Sequence, residues 1–256
     1  MKTLQPDFNM RIFTTLCIAL AFLGKANAQQ FTEIPAELFI KEMKPVIAKM
    51  NQNNCKLTFK KEIYKDLRSN ELVSSSTGVI YYGTGISFRM ENEGITLIQT
   101  DEIYMVIDST EHIVQLAEPD SSFNPSAALM NFKTEALSKF KLSSFKTDSY
   151  ISYKVVPENL SEGIIEYQVD RKSNMLYRFK ISYPPGNYFS ENMDDETLEE
   201  PYAVIIYEPI QKLKNPEAFF DLKHIVVKNA KGEYLLADQM INYELHDSRY
   251  HTTTNE

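Results

Sequence analysis

The sequence predicts an α+β protein: a strongly curved antiparallel β-sheet with two or three α-helices on one face. Three observations carry this. Apolar residues recur at the helical period in two separated segments. Elsewhere the period drops to two, in short runs broken by turn residues. The strand runs are also not interleaved one by one with helices, which excludes a doubly wound parallel sheet. A chain of 256 residues with 15 Phe, 15 Tyr and no Trp has the apolar material of a globular protein. Its 27 basic against 35 acidic residues argue against nucleic acid, whose phosphates demand clustered Lys and Arg, and against a polybasic membrane-surface binder.

The amino-terminal segment has the layout of a secretory signal peptide. Met10-Arg11 precedes the uncharged run Ile12–Leu23, and Ala26-Asn27-Ala28 follows as a small-x-small cleavage site. As a helix that run would span about 18 Å, too short for a hydrocarbon core of about 30 Å. Residues 1–28 are therefore expected to be removed after Ala28, leaving residues 29–256 as one exported, soluble domain. Removal takes Lys2, Arg11, Lys25 and Asp7 with it, so 24 basic and 34 acidic residues remain. Cys55 is then the only cysteine, and no internal disulfide can form. It reads as a half-buried residue at the start of a strand.

Residues 33–53 read as the first helix. Ala36, Phe39, Met43, Val46, Ile47 and Met50 fall within about 100° of one another, and Pro45 should kink the helix or start a new turn. From Cys55 to Leu116 the period is two. Leu57, Phe59 and Ile63 suggest a strand; Val79–Tyr82 follow Gly78; Ile86, Phe88 and Met90 alternate with polar residues. Glu93-Gly94 turns the chain into Ile95–Ile98. Ile103–Ile107 is apolar at every position, as in a strand covered on both faces, and His112–Leu116 follows another turn. Ser126 is placed to cap a second helix, Ala127–Phe140, with Leu129, Phe132, Ala136, Leu137 and Phe140 on one face. Strands resume at Tyr150–Val156, Ile164–Val169 and Met175–Tyr183, the last alternating strictly. An acidic loop spans 190–200, and Tyr202–Tyr207, Ile225–Val227, Tyr234–Leu236 and Ile241–Leu245 complete the pattern. Asn215-Pro216-Glu217 starts a helical turn.

Chemistry-bearing motifs are missing: there is no Gly-x-Gly-x-x-Gly, P-loop, Gly-x-Ser-x-Gly or His-Glu-x-x-His. His246 and His251 lack the spacing that puts two ligands on one strand face, so no metal and no cofactor is expected. Carboxylate pairs such as Asp194-Asp195 lie in the acidic loop, where solvation accounts for them. No catalytic residue and no enzymatic activity are expected. Met43, Met50, Met90, Met105, Met130, Met175, Met193 and Met240 are adaptable side chains suited to a pocket for an apolar ligand.

Gly78-Val79-Ile80-Tyr81-Tyr82, Ile86-Ser87-Phe88-Arg89-Met90-Glu91, Ile95-x-x-Ile98-x-x-Asp101-x-Ile103, Asp108 and Ile113-Val114-Gln115-Leu116 together resemble the LolA-like periplasmic lipoprotein carriers, as a diverged, Bacteroidetes-like member. The order of signal peptide, amphipathic helix, middle helix and second strand run ending in Asp247-Ser248-Arg249 is similar to the family's. Departures are Thr84-Gly85 in place of Arg-Pro before the strand Phe, Glu102 in place of the turn Gly, the absence of Trp, and a longer 184–223 segment. The resemblance implies an incomplete barrel with a lid of two or three α-helices, and a periplasmic carrier that binds lipoprotein acyl chains in an apolar cavity and shuttles them towards the outer membrane. It would act as a monomer, with an inner-membrane release complex and an outer-membrane acceptor as partners. Phe88, Met90, Ile103, Met105, Ile107, Tyr177, Phe179 and Ile181 are the expected lipid-binding residues, and Phe39, Met43, Leu129 and Phe132 the lid. The alternative is a non-catalytic cell-envelope binding or accessory module with a filled core; a third reading is an exported enzyme.

Overall fold

In the computed structural model, residues 31–123, 137, 139–158, 163–183 and 200–250 are described. The chain runs through β1 (Thr32–Glu33), α1 (Ala36–Met50), β2 (Cys55–Tyr64), β3 (Leu72–Tyr82), β4 (Phe88–Asn92), β5 (Ile95–Gln99), β6 (Tyr104–Asp108) and β7 (Ile113–Ala117). It continues through β8 (Phe140–Lys146), β9 (Tyr150–Pro157), β10 (Ile164–Asp170), β11 (Met175–Ser182), β12 (Tyr202–Tyr207) and β13 (Gln211–Lys212). An arm follows, holding β14 (Val226–Lys228), β15 (Tyr234–Leu236), β16 (Glu244–Asp247) and short 3-10 turns, the first at Pro216–Phe219.

Fourteen strands form one open sheet in the order β1-β8-β9-β10-β11-β12-β2-β3-β4-β5-β6-β7-β16, with β13 beside β2. All its pairs are antiparallel except β16, which runs parallel to β7. The tight turns explain the long meander. Glu93 and Gly94 both take positive φ, 48° and 80°, the conformation that a two-residue hairpin loop requires. The seam between the two halves is β12 against β2, with Tyr202 opposite Tyr64 and Tyr207 opposite Phe59.

The helix forms because its apolar stripe has a surface to cover. Phe39, Met43, Val46 and Met50 are buried, and Glu37 and Lys49 oppose the dipole at either end. The helix runs through Pro45 without ending, and Pro45 lies on its exposed side, where a missing N–H costs least. Phe39 packs edge-on against Tyr153, ring centroids 5.5 Å apart, and Tyr167 stands between Phe39 and Phe179. This buried cluster draws on β2, β3, β4, β8, β9, β10, β11 and β12.

The opposite face is covered by the carboxy-terminal arm. Ile98, Met105, Ile107, Val114 and Leu116 meet Ile225, Val226 and Tyr234 in a second buried cluster. Phe219 stacks on Tyr81 at 4.3 Å. The Arg249 guanidinium lies 4.5 Å over the Tyr234 ring and binds Asp247. Ser248 donates its hydroxyl to Leu116 O at 2.7 Å.

Several expectations change. Residues 124–136 and 138 of the second helix, Leu129 and Phe132 included, lie outside the described residues, as do 1–30 and 184–199. Leu137 is helical and buried, but Phe140 opens β8 rather than closing a helix. β8 carries no clean apolar alternation, because Ser144 occupies one of its inward positions. The final strand is Glu244–Asp247 rather than Ile241–Leu245, because the chain is still in the turn that follows Asp238–Met240, and Ile241 is 82% exposed.

Candidate functional site

The expected lipid-binding residues divide between two faces. Strand pairing puts Phe88 opposite Tyr82, and Met90 opposite Ile80 and Leu97, on the α1 side. Phe179 is buried in the α1-side cluster, and Ile181 packs against it. Phe39 and Met43 of α1 belong to the same cluster. Ile103, Met105 and Ile107 do not: they are buried on the far face, under the arm.

Tyr177 is the other correction, exposed at 49%. A β-bulge makes Gln168 pair with Arg178 and Val169 with Leu176, so Tyr177 is the extra residue. The bulge shifts the strand's phase by one position. Leu176 turns inward and is wholly buried, while Tyr177 is turned out.

On the α1 side the apolar surface continues past the buried cluster as Met90, Leu97 and Tyr104, all half-buried and packed against its edge. Gln99, missed in the sequence reading, organises this end. It is completely buried. Its Nε2 donates to Ile86 O at 3.2 Å and Asp120 O at 3.1 Å, and its Oε1 accepts from the Asp120 N–H at 3.1 Å. One amide thus fixes the 118–123 segment against β4 and β5. That places Phe123 over Phe88 at 5.5 Å and edge-on to Tyr104 at 6.1 Å. A polar residue on the inner face of a short strand was the available signal, because a buried amide is retained only when its groups are bonded. A cavity of about 130 Å³ lies beside Phe88 and Phe123, reaching Asn51 at the end of α1.

Polar groups anchor the margins. Glu42 of α1 accepts from the Tyr153 hydroxyl at 2.8 Å and from Lys146 Nζ at 2.9 Å. Burial opposes its ionisation, but the hydrogen bonds from Lys146 and Tyr153, with the charges of Lys146 and Lys41, hold the carboxyl below its usual range. Lys61 reaches Glu93 at 3.2 Å across the strand ends. The Cys55 thiol donates to Gln52 O, and burial pushes its pKa up to about 11, which suppresses the thiolate.

Among the described residues no group of three or more His, Cys, Asp and Glu could hold a metal ion. Nor is any described helix long and apolar enough to cross a membrane.

No family model matches the chain, and no curated protein matches it. Among solved structures it is similar to a LolA superfamily protein from Nitrosomonas europaea, at 7% identity and TM-score 0.31, over 71% of this chain and 94% of that one. It is similar to an uncharacterised conserved protein from Thermus thermophilus at 9% identity and TM-score 0.40, over 70% and 91%. A third is a putative outer membrane lipoprotein-sorting protein domain from Vibrio parahaemolyticus, at 10% identity and TM-score 0.32, over 72% and 98%. These likenesses, to LolA-type structures among others, span 70 to 72% of the chain.

Proposed function

We propose that the protein is an exported carrier that holds the acyl chains of lipoproteins on the α1-side face and escorts them through the periplasm towards the outer membrane. The observation that carries this reading is the row Met90, Leu97 and Tyr104, half-buried apolar side chains continuing a buried cluster. Each CH₂ moved from water to such a surface contributes about 0.8 kcal/mol, so an acyl chain gains many times RT by leaving water. The reading includes a sheet curled about the helix. Eight adjacent strands laid flat would span about 34 Å at about 4.8 Å spacing, whereas a helix of this length is about 22 Å long and about 10 Å wide. One helix can meet all eight strands in a single cluster more readily if the sheet bends round it. α1 would act as a lid, with Phe39 and Met43 lifting from Tyr153 and Tyr167. Export rests on the 1–28 segment, and transfer needs no bond to be made or broken.

A second reading, an envelope binding or accessory module with a filled core, is favoured by Phe88. It is 2% exposed and already in contact with Phe123. Native mass spectrometry of protein taken from the periplasm separates the two readings, because a carrier retains lipid or lipopeptide. Met90→Glu should fold, since water reaches the site, and should lose a fluorescent acyl probe. Retained probe binding by the folded variant, or no lipid in the mass spectrum, overturns the carrier.

A further inference from the structure

A lysine stands on the inward, α1-side face of the sheet. Leu57 and Phe59 of β2 are buried in the α1-side cluster, and alternation carries Lys61 and Ile63 to the same face. The ladder agrees: Lys61 lies opposite Ile205, Ile205 opposite Phe179, and Phe179 opposite Tyr167. Lys60 and Glu62, paired with each other, take the other face. Among the described residues of β10, β11, β12, β2 and β3, Lys61 is the only inward one that carries a charge.

What Lys61 holds is a carboxylate. Glu93 reaches over from the exposed β4–β5 turn, and its Oε2 accepts from Lys61 Nζ at 3.2 Å and from Asn92 Nδ2 at 3.4 Å. Asn92 follows Phe88 and Met90 in the inward phase of β4. Ser76 lies opposite Lys61. Lys61 above all, with Ser76 and Asn92, holds the Glu93 carboxyl below its usual range. The Ser76 hydroxyl is enclosed without a well-formed bond, so a carboxylate seated slightly deeper than that of Glu93 would gain a third donor. The resident pair is half exposed, at 32% for Lys61 and 45% for Glu93. An ion pair in that setting contributes little and opens readily.

Apolar surface leads away from this cluster. Ile63, Ala203, Ile181 and Ile165 are successive cross-strand neighbours, all half-buried on the α1 side. At about 4.8 Å per strand the row spans about 14 Å, and no charge interrupts it. A single ammonium at its start matches the single charge of a carboxylate.

We propose that Lys61, Asn92 and Ser76 bind the carboxylate of a free fatty acid, whose chain lies along the row from Ile63 to Ile165, and that Glu93 fills the carboxylate position when no ligand is bound. This rests on the reading that the α1-side face takes acyl chains. It adds a ligand class with a free anionic end, which the acyl groups of a lipoprotein lack.

The probes are dansyl-undecanoic acid and its primary amide, titrated into the full chain and followed by dansyl fluorescence. The two differ in charge at the head alone, so the acid should bind about tenfold more tightly. Lys61→Met keeps the apolar stem and removes the ammonium. It should weaken the acid by about tenfold and leave the amide within about threefold, levelling the two. Glu93→Gln removes the resident carboxylate and should tighten the acid by about threefold. Glu91→Gln makes the same change of charge on the opposite face and should not. Equal affinity for acid and amide in the unaltered chain overturns this proposal and leaves the carrier reading standing; if neither probe binds, both fall. An acid preference that survives Lys61→Met, in a variant folded by circular dichroism, places the anion elsewhere and overturns the site. Should Lys61→Met not fold, Glu93→Gln decides, and no gain in acid affinity there overturns the proposal.

Discussion

The ring of Phe59 lies directly across the backbone of Gly78, its antiparallel partner. A Cβ placed on Gly78 would fall within 2.7 Å of ring Cε1 and closer still to Cζ. The glycine is thus required by the space the ring occupies, midway along the β2–β3 pair. The ring in turn packs towards Tyr207 across the seam, centroids 6.3 Å apart.

Gly78→Ala should therefore destabilise the protein by about 1–3 kcal/mol through overpacking. The urea midpoint reads this, and Phe59→Leu in the same chain should recover part of the loss. A lone Gly78→Ala that is neutral would show that the ring moves aside freely.

Gln99→Met keeps the volume and removes the donors and the acceptor. It leaves Ile86 O and both backbone groups of Asp120 without their partner, so the expected loss is about 2–4 kcal/mol. Hydrogen exchange should speed up across residues 118–123 before it does in α1. Uniform acceleration would mean that Gln99 has no local role.

Glu42 gives a pH dependence whose sign follows from its lowered pKa. Its contribution is fully present above the ordinary carboxylate pKa and is lost as pH falls through the depressed folded value. Glu42→Gln should be less stable than the parent near neutrality by up to about 1 kcal/mol, since Lys146 is half exposed. The difference should vanish in acid. A difference that persists at low pH would place the effect in shape rather than charge.

Cys55 should be inert to Ellman's reagent in the native protein and react fully in denaturant, because its thiol is buried and its pKa lies near 11. Rapid native labelling at pH 8 would contradict the buried placement. Cys55→Ser should report on packing alone.

How far the sequence could be read depended on whether local pattern or tertiary partners set the answer. The stripe of α1 has the helical period, and its buried residues match it. The hairpin at Glu93-Gly94 follows from the glycine and the short loop. The facing of β6 was not readable in the same way: Ile103-Tyr104-Met105-Val106-Ile107 is apolar throughout, so either phase fits, and only the arm packed on one side distinguishes them. β11 shows the converse error. Its alternation is clean in the sequence, yet the bulge at Tyr177, set by pairing with β10, reverses the facing there. Gln99 was illegible because its partners, Ile86 and Asp120, are brought to it by the meander.

The seam of β12 on β2 has a consequence for the chain as it emerges from amino to carboxy terminus. Residues 55–64 can pair with 72–82 almost at once, but their other edge waits for residues 202–207 and 211–212. Until then a ten-residue strand stands with a row of open backbone groups, a template for any neighbouring chain. Such distant closure slows folding and lengthens the time at risk. Lys60 and Lys61, in the stretch that 202–207 later covers, put positive charge on that strand, the means by which open edges resist pairing with identical chains.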